Sequence, residues 1–181
     1  YLEHRASPPI SDDWRSFNLW KNLSKFWVSL HKHWYGDEAT KENDFAYDYL
    51  PKVKPGVDYT WIGTMEAMER GEVKGRLVWG QSVIAAGPNT NAEAKAMEKL
   101  DWTMIVDPWD ISTANFWRLP GADTANIKTE VFQLPGPVPF EKNQLKSASH
   151  RMQQWSYKAA DPPGDAKTDL WIVNQLMLRL R

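Results

Sequence analysis

The chain contains no cysteine. That excludes disulfides, thiolate zinc sites, iron–sulfur ligands and a cysteine nucleophile within these 181 residues, and it leaves the redox compartment open. Charge of one sign is also lacking: 22 Lys and Arg stand against 23 Asp and Glu, a net charge of −1. The broad positive field that gathers nucleic acid is therefore absent, as is a polybasic membrane anchor. No run reaches the roughly 18 apolar residues of a membrane span, and the start lacks the charged and apolar regions of a secretory signal, so no direct membrane insertion is expected. Neither G-x-G-x-x-G nor G-K-[ST] occurs, and no spacing suggests a Ser-His-Asp arrangement. Tyr1 stands where an initiator Met would. The apolar helical pattern Asn174 to Arg181 runs to the last residue without a Gly or Asn stop, and these ends predict a span of a longer chain.

Aromatic residues are what the chain has in plenty, 11 of them Trp. Asp13 can cap a helix in which Trp14, Phe17, Trp20, Leu23, Trp27, Leu30 and Trp34 recur every three or four residues before Gly36. One face of that helix is thus apolar and is expected to pack on a larger body. His31 and His33 lie two apart and do not share a helical face, which argues against a metal site with the nearby Asp37, Glu38 and Asp44. Pro51, Pro55 and Gly56 then mark a break. It suggests a helical packing segment over 1–57 and an α/β region over 58–181.

A second helix is expected from Tyr59 to Arg70, capped by Asp58. Leu77, Val78 and Trp79 form a short apolar run, as in a strand buried on both faces. Thr90 and Glu93 fit a capping box for a helix over Ala92 to Leu100. Met104, Ile105 and Val106 make a second strand ending at Asp107, and Val131, Phe132 and Leu134 a third. Thr168 to Leu180 reads as a closing helix, and the Pro- and Gly-rich pieces 135–139 and 161–164 as surface loops. This alternation predicts a Rossmann-like parallel sheet flanked by helices, whose ligands sit at the carboxyl ends of the strands.

Residues 77–91, LVWGQSVIAAGPNTN, join the first strand to the capped helix. Gly80, Gly87 and the helix start at Thr90 supply the parts of a phosphate-cradling loop, and they equally suit a tight connection. Asp107 at the next strand end is placed to bond a ribose or guanine edge, or to cap its own turn. The Gly spacing argues against a nicotinamide-binding dehydrogenase.

The strings FWVSLHKHWYGDEATKENDFAYDYLPK, KGRLVWGQ and IKTEVFQLP, with QWSYKAADPPGDAKTDLWIVNQL near the end, closely resemble the large subunit of molybdopterin-dependent formate dehydrogenases of the respiratory, membrane-associated type. The resemblance runs nearly end to end. It implies a partial domain of a larger molybdopterin oxidoreductase that cradles the guanosine part of a molybdopterin guanine dinucleotide on molybdenum or tungsten. Gly80 and Gln81 match the family's Gly-Gln after the first strand, Ser82 follows them as a further expected cofactor-binding position, and Asp107 and Thr113 match the acidic strand end and the Thr that follows. The family's reacting groups and cluster ligands lie upstream of the matching span, so the resemblance assigns no catalytic residue here.

It also implies partners, namely the rest of the same subunit and an iron–sulfur electron-transfer subunit. A periplasmic place follows, membrane-associated through partner subunits, with a cytoplasmic one as the alternative. Ser82 and Val83 stand where the family usually has Asn-Pro, Ser112 where Glu is common, and Ser147–Met152 where a segment of the type Thr-Asn-Ser-Gly-Arg-Trp occurs, with His150 at the Gly position. Those departures fall on expected cofactor positions and motivate an alternative, a non-catalytic scaffold or assembly module that keeps the fold.

Overall fold

The computed structural model describes residues 19–52, 54–148 and 152–180. The proposed cap at Asp13, the first turn of the aromatic helix and the expectation for His150 lie outside the described residues. The chain divides into two compact units, Tyr1–Val57 and Asp58–Arg181.

In the first unit, helix α1 (Leu19–Tyr35) is followed by three single 3-10 turns. The described part of its expected apolar stripe, Leu23 to Trp34, is within this unit only partly covered. Trp27, Leu30 and Trp34 remain exposed, Trp34 at 57%. The side chain driven inward is instead His31, 2% exposed, ringed by Trp27, Trp34, Tyr35 and Tyr47 at centroid distances of 5.3 to 6.4 Å. Its Nδ1 lies 3.0 Å from the Phe45 carbonyl oxygen. A carbonyl only accepts, so Nδ1 carries the proton of that bond. His33 is exposed, as expected of residues two apart on a helix.

Phe45 belongs to an unusual turn in which Asp44, Phe45 and Ala46 all have positive φ, at 51°, 54° and 66°. L-residues avoid this region at about 1–2 kcal/mol each, so something must hold them there. Asn43 does. Its Oδ1 accepts from Thr40 N at 3.1 Å and Ala46 N at 2.7 Å, while Nδ2 donates to the Glu38 carbonyl at 2.7 Å and Tyr49 OH at 3.2 Å.

The second unit is α/β. Helix α2 (Trp61–Glu69) leads to β1 (Gly75–Trp79), then a one-turn helix α3 (Val83–Ala86), α4 (Thr90–Met97), β2 (Trp102–Asp107) and β3 (Glu130–Pro135). The strand order is β1-β2-β3, all parallel, with Val78 beside Ile105 and Asp107 beside Pro135. A hairpin of β4 (Gln144–Ala148) and β5 (Met152–Ser156) and a last helix α5 (Asp169–Leu180) follow. The hairpin was not foreseen, because its short polar strands carry no apolar alternation strong enough to read.

One sheet face carries the main core. Val78 and Ile105 pack with Met65 and Met68 of α2, Val83 and Ile84 of α3, Ala96 and Met97 of α4, and Phe116. Fully burying one such side chain stabilises the fold by about 1.5–3 kcal/mol. On the other face Met104 and Val106 meet Ile172 and Leu176 of α5, and the Trp79 indole N–H donates to Asp169 at 3.0 Å. That cover is partial. Leu77 is 54% and Phe132 45% exposed, so the apolar run at 77–79 is not buried on both faces as its composition suggested. Only β2, the central strand, is closed on both sides.

Local chemistry also corrected two caps. Thr60, not Asp58, caps α2 by accepting from Gly63 N at 3.3 Å, and Asp58 braces it by accepting from Thr60 N at 2.8 Å. At α4 the cap is Asn89, which accepts from Ala92 N at 3.2 Å. The Thr90 hydroxyl donates to the Ile84 carbonyl instead, and Glu93 turns inward. The loop at 135–139 is likewise less superficial than its composition predicts, since Gly136 and Pro137 are buried where the chain crosses the strand ends.

Candidate functional site

The carboxyl ends of β1 and β2 lie side by side, joined by the hydrogen bond from Gly80 N to the Val106 carbonyl at 2.9 Å. Gly80 has φ +56°, and the space where a side chain would stand is open. A left-handed residue with an open flank lets a ligand approach the backbone closely. Gln81 beside it is exposed. Ser82 caps α3, accepting from Ala85 N at 3.3 Å.

The Ser82 hydroxyl lies 2.9 Å from Ser112 Oγ and 3.2 Å from Thr113 Oγ1. Thr113 is fully buried and accepts from Ile84 N at 3.2 Å. It thereby ties α3 and Ser82 to the loop after β2. Ser82 and Ser112 thus touch each other across the two strand-end loops. A pair of small hydroxyls closes the space between the two loops.

Asp107 ends β2 with 8% exposure, and its Oδ1 accepts from Trp109 N at 2.9 Å. This is the turn-capping role anticipated as one option. Oδ2 makes no hydrogen bond among the described residues and remains an available acceptor. Gly136 N, donating to the Asp107 carbonyl at 3.2 Å, closes the third side.

The rest of the expected phosphate loop is not built as its composition suggested. Gly87 has an ordinary φ of −82°. A methyl group placed on it would collide with both carboxylate oxygens of Glu93. Glycine is needed there for room, and the room is taken by the buried Glu93 carboxyl group. That leaves Gly80 to Ser82 with Asp107 as the open polar shelf. The capping-box spacing from Thr90 pointed to Glu93, but for a different role from the buried one it takes.

No protein-family model matches the chain. Curated relatives do. Formate dehydrogenase 2 subunit alpha (cytochrome c-553) of Nitratidesulfovibrio vulgaris is 39% identical over 178 residues, covering 98% of this chain and 18% of the relative. The formate dehydrogenase subunit alpha of Megalodesulfovibrio gigas is 39% identical over 173 residues, 96% of this chain and 17% of that protein. Formate dehydrogenase-O major subunit of Escherichia coli is also 39% identical, over 185 residues, 100% of this chain and 18% of its own length. The chain belongs to the formate dehydrogenase alpha-subunit family. It spans less than a fifth of the length of these formate dehydrogenase relatives, each named as one subunit of an oxidoreductase. Among its described residues no helix is long and apolar enough to cross a membrane.

Proposed function

We propose that the chain is part of a formate dehydrogenase catalytic subunit, an enzyme oxidising formate to carbon dioxide, and that residues 58–181 supply one wall of a site for the guanosine end of molybdopterin guanine dinucleotide. The observation that carries this reading is the shelf itself. An open left-handed Gly80 stands beside Asp107, whose Oδ2 is unengaged, at the adjoining ends of two parallel strands. The residues suit a polar group: backbone with no side chain in the way, one carboxylate acceptor, and an exposed Gln81 beside it.

In this reading Asp107 accepts from the guanine or ribose edge, Gly80, Gln81 and Ser82 line the ligand, and Thr113 positions Ser82. When bound, the group would supply redox chemistry at its molybdenum or tungsten ion; the residues here bind and orient it. Residues 1–57 act as a packing segment toward the rest of the same subunit. An iron–sulfur subunit accepts the electrons, and the assembly sits on the periplasmic side of a membrane through its partner subunits.

The test is Asp107→Ala in the full-length polypeptide. Losing a hydrogen bond from a charged group weakens binding about ten- to a hundredfold. Guanine nucleotide retained per protein after dilution should fall accordingly, and unchanged retention would refute the reading. A second reading, a non-catalytic scaffold, draws on the Ser82 hydroxyl being engaged internally by Ser112 and Thr113. Metal and guanine analysis of the full-length protein separates the two.

A further inference from the structure

Glu93 is the least expected group in the core. It is 2% exposed, its Oε1 accepts from the Trp61 indole N–H at 2.8 Å, and its Oε2 has no hydrogen-bond partner among the described residues. A buried carboxylate left partly unsatisfied is costly unless it serves something the fold needs. The neighbouring charge is Arg76, whose guanidinium lies 5.7 Å from the Trp61 ring centroid with Nη1 3.2 Å from Met68 Sδ. Burial lowers the Arg76 pKa from its ordinary value, and the Glu93 carboxylate pulls it back up.

What this carboxylate touches is the segment between α3 and α4. Helix α3 is one turn long and cannot hold its own position. It is fixed at its start by Thr113 on Ile84 N, in its middle by Thr90 on the Ile84 carbonyl, and at its end by Glu93 filling the space beside Gly87. The first two are hydroxyl contacts of 3.2 Å. The third is a carboxyl group anchored through the Trp61 indole at 2.8 Å to α2, a different element.

We propose that Glu93 is a positioning residue: its buried carboxylate, docked against Gly87 and held by Trp61, sets where segment 83–90 sits and so aims the Gly80–Ser82 shelf at its ligand. The last step rests on the function proposed above. The interaction also explains why Gly87 must be glycine although its backbone conformation suits any residue.

The experiment uses the full-length polypeptide with Glu93→Ala, Glu93→Gln, Gly87→Ala and the double variant Gly87→Ala/Glu93→Ala. Two readouts are taken, hydrogen exchange of amides 83–90 and retention of guanine nucleotide. Glu93→Ala should raise exchange in 83–90 by about tenfold and speed nucleotide loss, as expected for a lost hydrogen bond to a charged group. Glu93→Gln keeps the volume and the acceptor for Trp61 and should restore both. Gly87→Ala should be as damaging as Glu93→Ala, while the double variant, with a methyl group in the vacated space, should be closer to wild type than either single change. Simple additivity of the two changes, or unaltered exchange in Glu93→Ala, would overturn the proposal. Faster exchange with unchanged nucleotide retention would support the positioning role of Glu93 and overturn the nucleotide reading of the shelf.

Discussion

Replacing Asn43 by Ala tests whether the left-handed turn 44–46 is held by one side chain. Three L-residues at positive φ cost about 3–6 kcal/mol together at 1–2 kcal/mol each. Asn43 opposes that cost with four hydrogen bonds. The bonds to Thr40 N, the Glu38 carbonyl and Tyr49 OH are exposed, so water replaces much of each on loss. The bond to Ala46 N is different, because Ala46 is fully buried and its N–H would be left without a partner, at about 1–3 kcal/mol. With a few tenths from each exposed bond, the expected local destabilisation is about 2–4 kcal/mol, or roughly 30- to 1000-fold in the opening equilibrium.

Hydrogen exchange of Phe45, Ala46 and Tyr47 amides in the full-length protein measures that equilibrium directly. Asn43→Asp keeps the Oδ1 acceptor and loses only the Nδ2 donors, so it should show the smaller part of the effect. An exchange change below about threefold in Asn43→Ala would mean that the His31 bond to Phe45 and the surrounding aromatic packing hold the turn, and the reasoning would fail.

Ile105→Ala, at the fully buried centre of β2, should destabilise the second unit by about 2–5 kcal/mol, read as increased exchange across all three parallel strands. Asp58 has its pKa lowered by hydrogen bonding from the Thr60 side chain and, secondly, from the Thr60 backbone N–H. A depressed carboxylate contributes above its unfolded pKa and loses that contribution as pH falls through the folded one; exchange at Thr60 should therefore accelerate only at pH below the ordinary Asp range, and Asp58→Asn should flatten that profile. Ser82→Asn alone should crowd Ser112 across a 2.9 Å contact and lower nucleotide retention, whereas Ser82→Asn with Ser112→Gly, which vacates that space, should recover it. Equal effects of the single and paired changes would uncouple the two positions.

The parallel sheet was legible because β2 and β3 announce themselves as apolar runs and α2 and α4 are bounded by small polar residues and glycine. The family resemblance was legible in ordered strings rather than in any one motif. What escaped was pairing across sequence. Thr90 and Glu93 have the spacing of a capping box, but Asn89 was nearer and Glu93 found the Trp61 indole 32 residues away, a partner no local pattern reveals. Gly87 looked like conformational freedom and proved to be a matter of volume. His31 was legible only as not sharing a face with His33; its burial depends on a turn whose left-handed residues are not glycine. At the shelf, the strand-end places of Gly80 and Asp107 could be read from chain order, while the mutual engagement of Ser82, Ser112 and Thr113 needed the two loops to be seen together.

The register of the sheet has a kinetic side. Gly75 pairs with Trp102 and Trp102 with Glu130, so each new strand arrives roughly 28 residues after the one it joins. Closing loops of that length is inexpensive in entropy, and no strand waits for a distant one. A chain leaving the ribosome has all three strands and the helices of the main core available by Pro135. The shelf formed by Gly80 and Asp107 would then take shape as soon as this span has emerged, and a nucleotide-bearing group inserted afterwards, as proposed above, would meet a surface already in place.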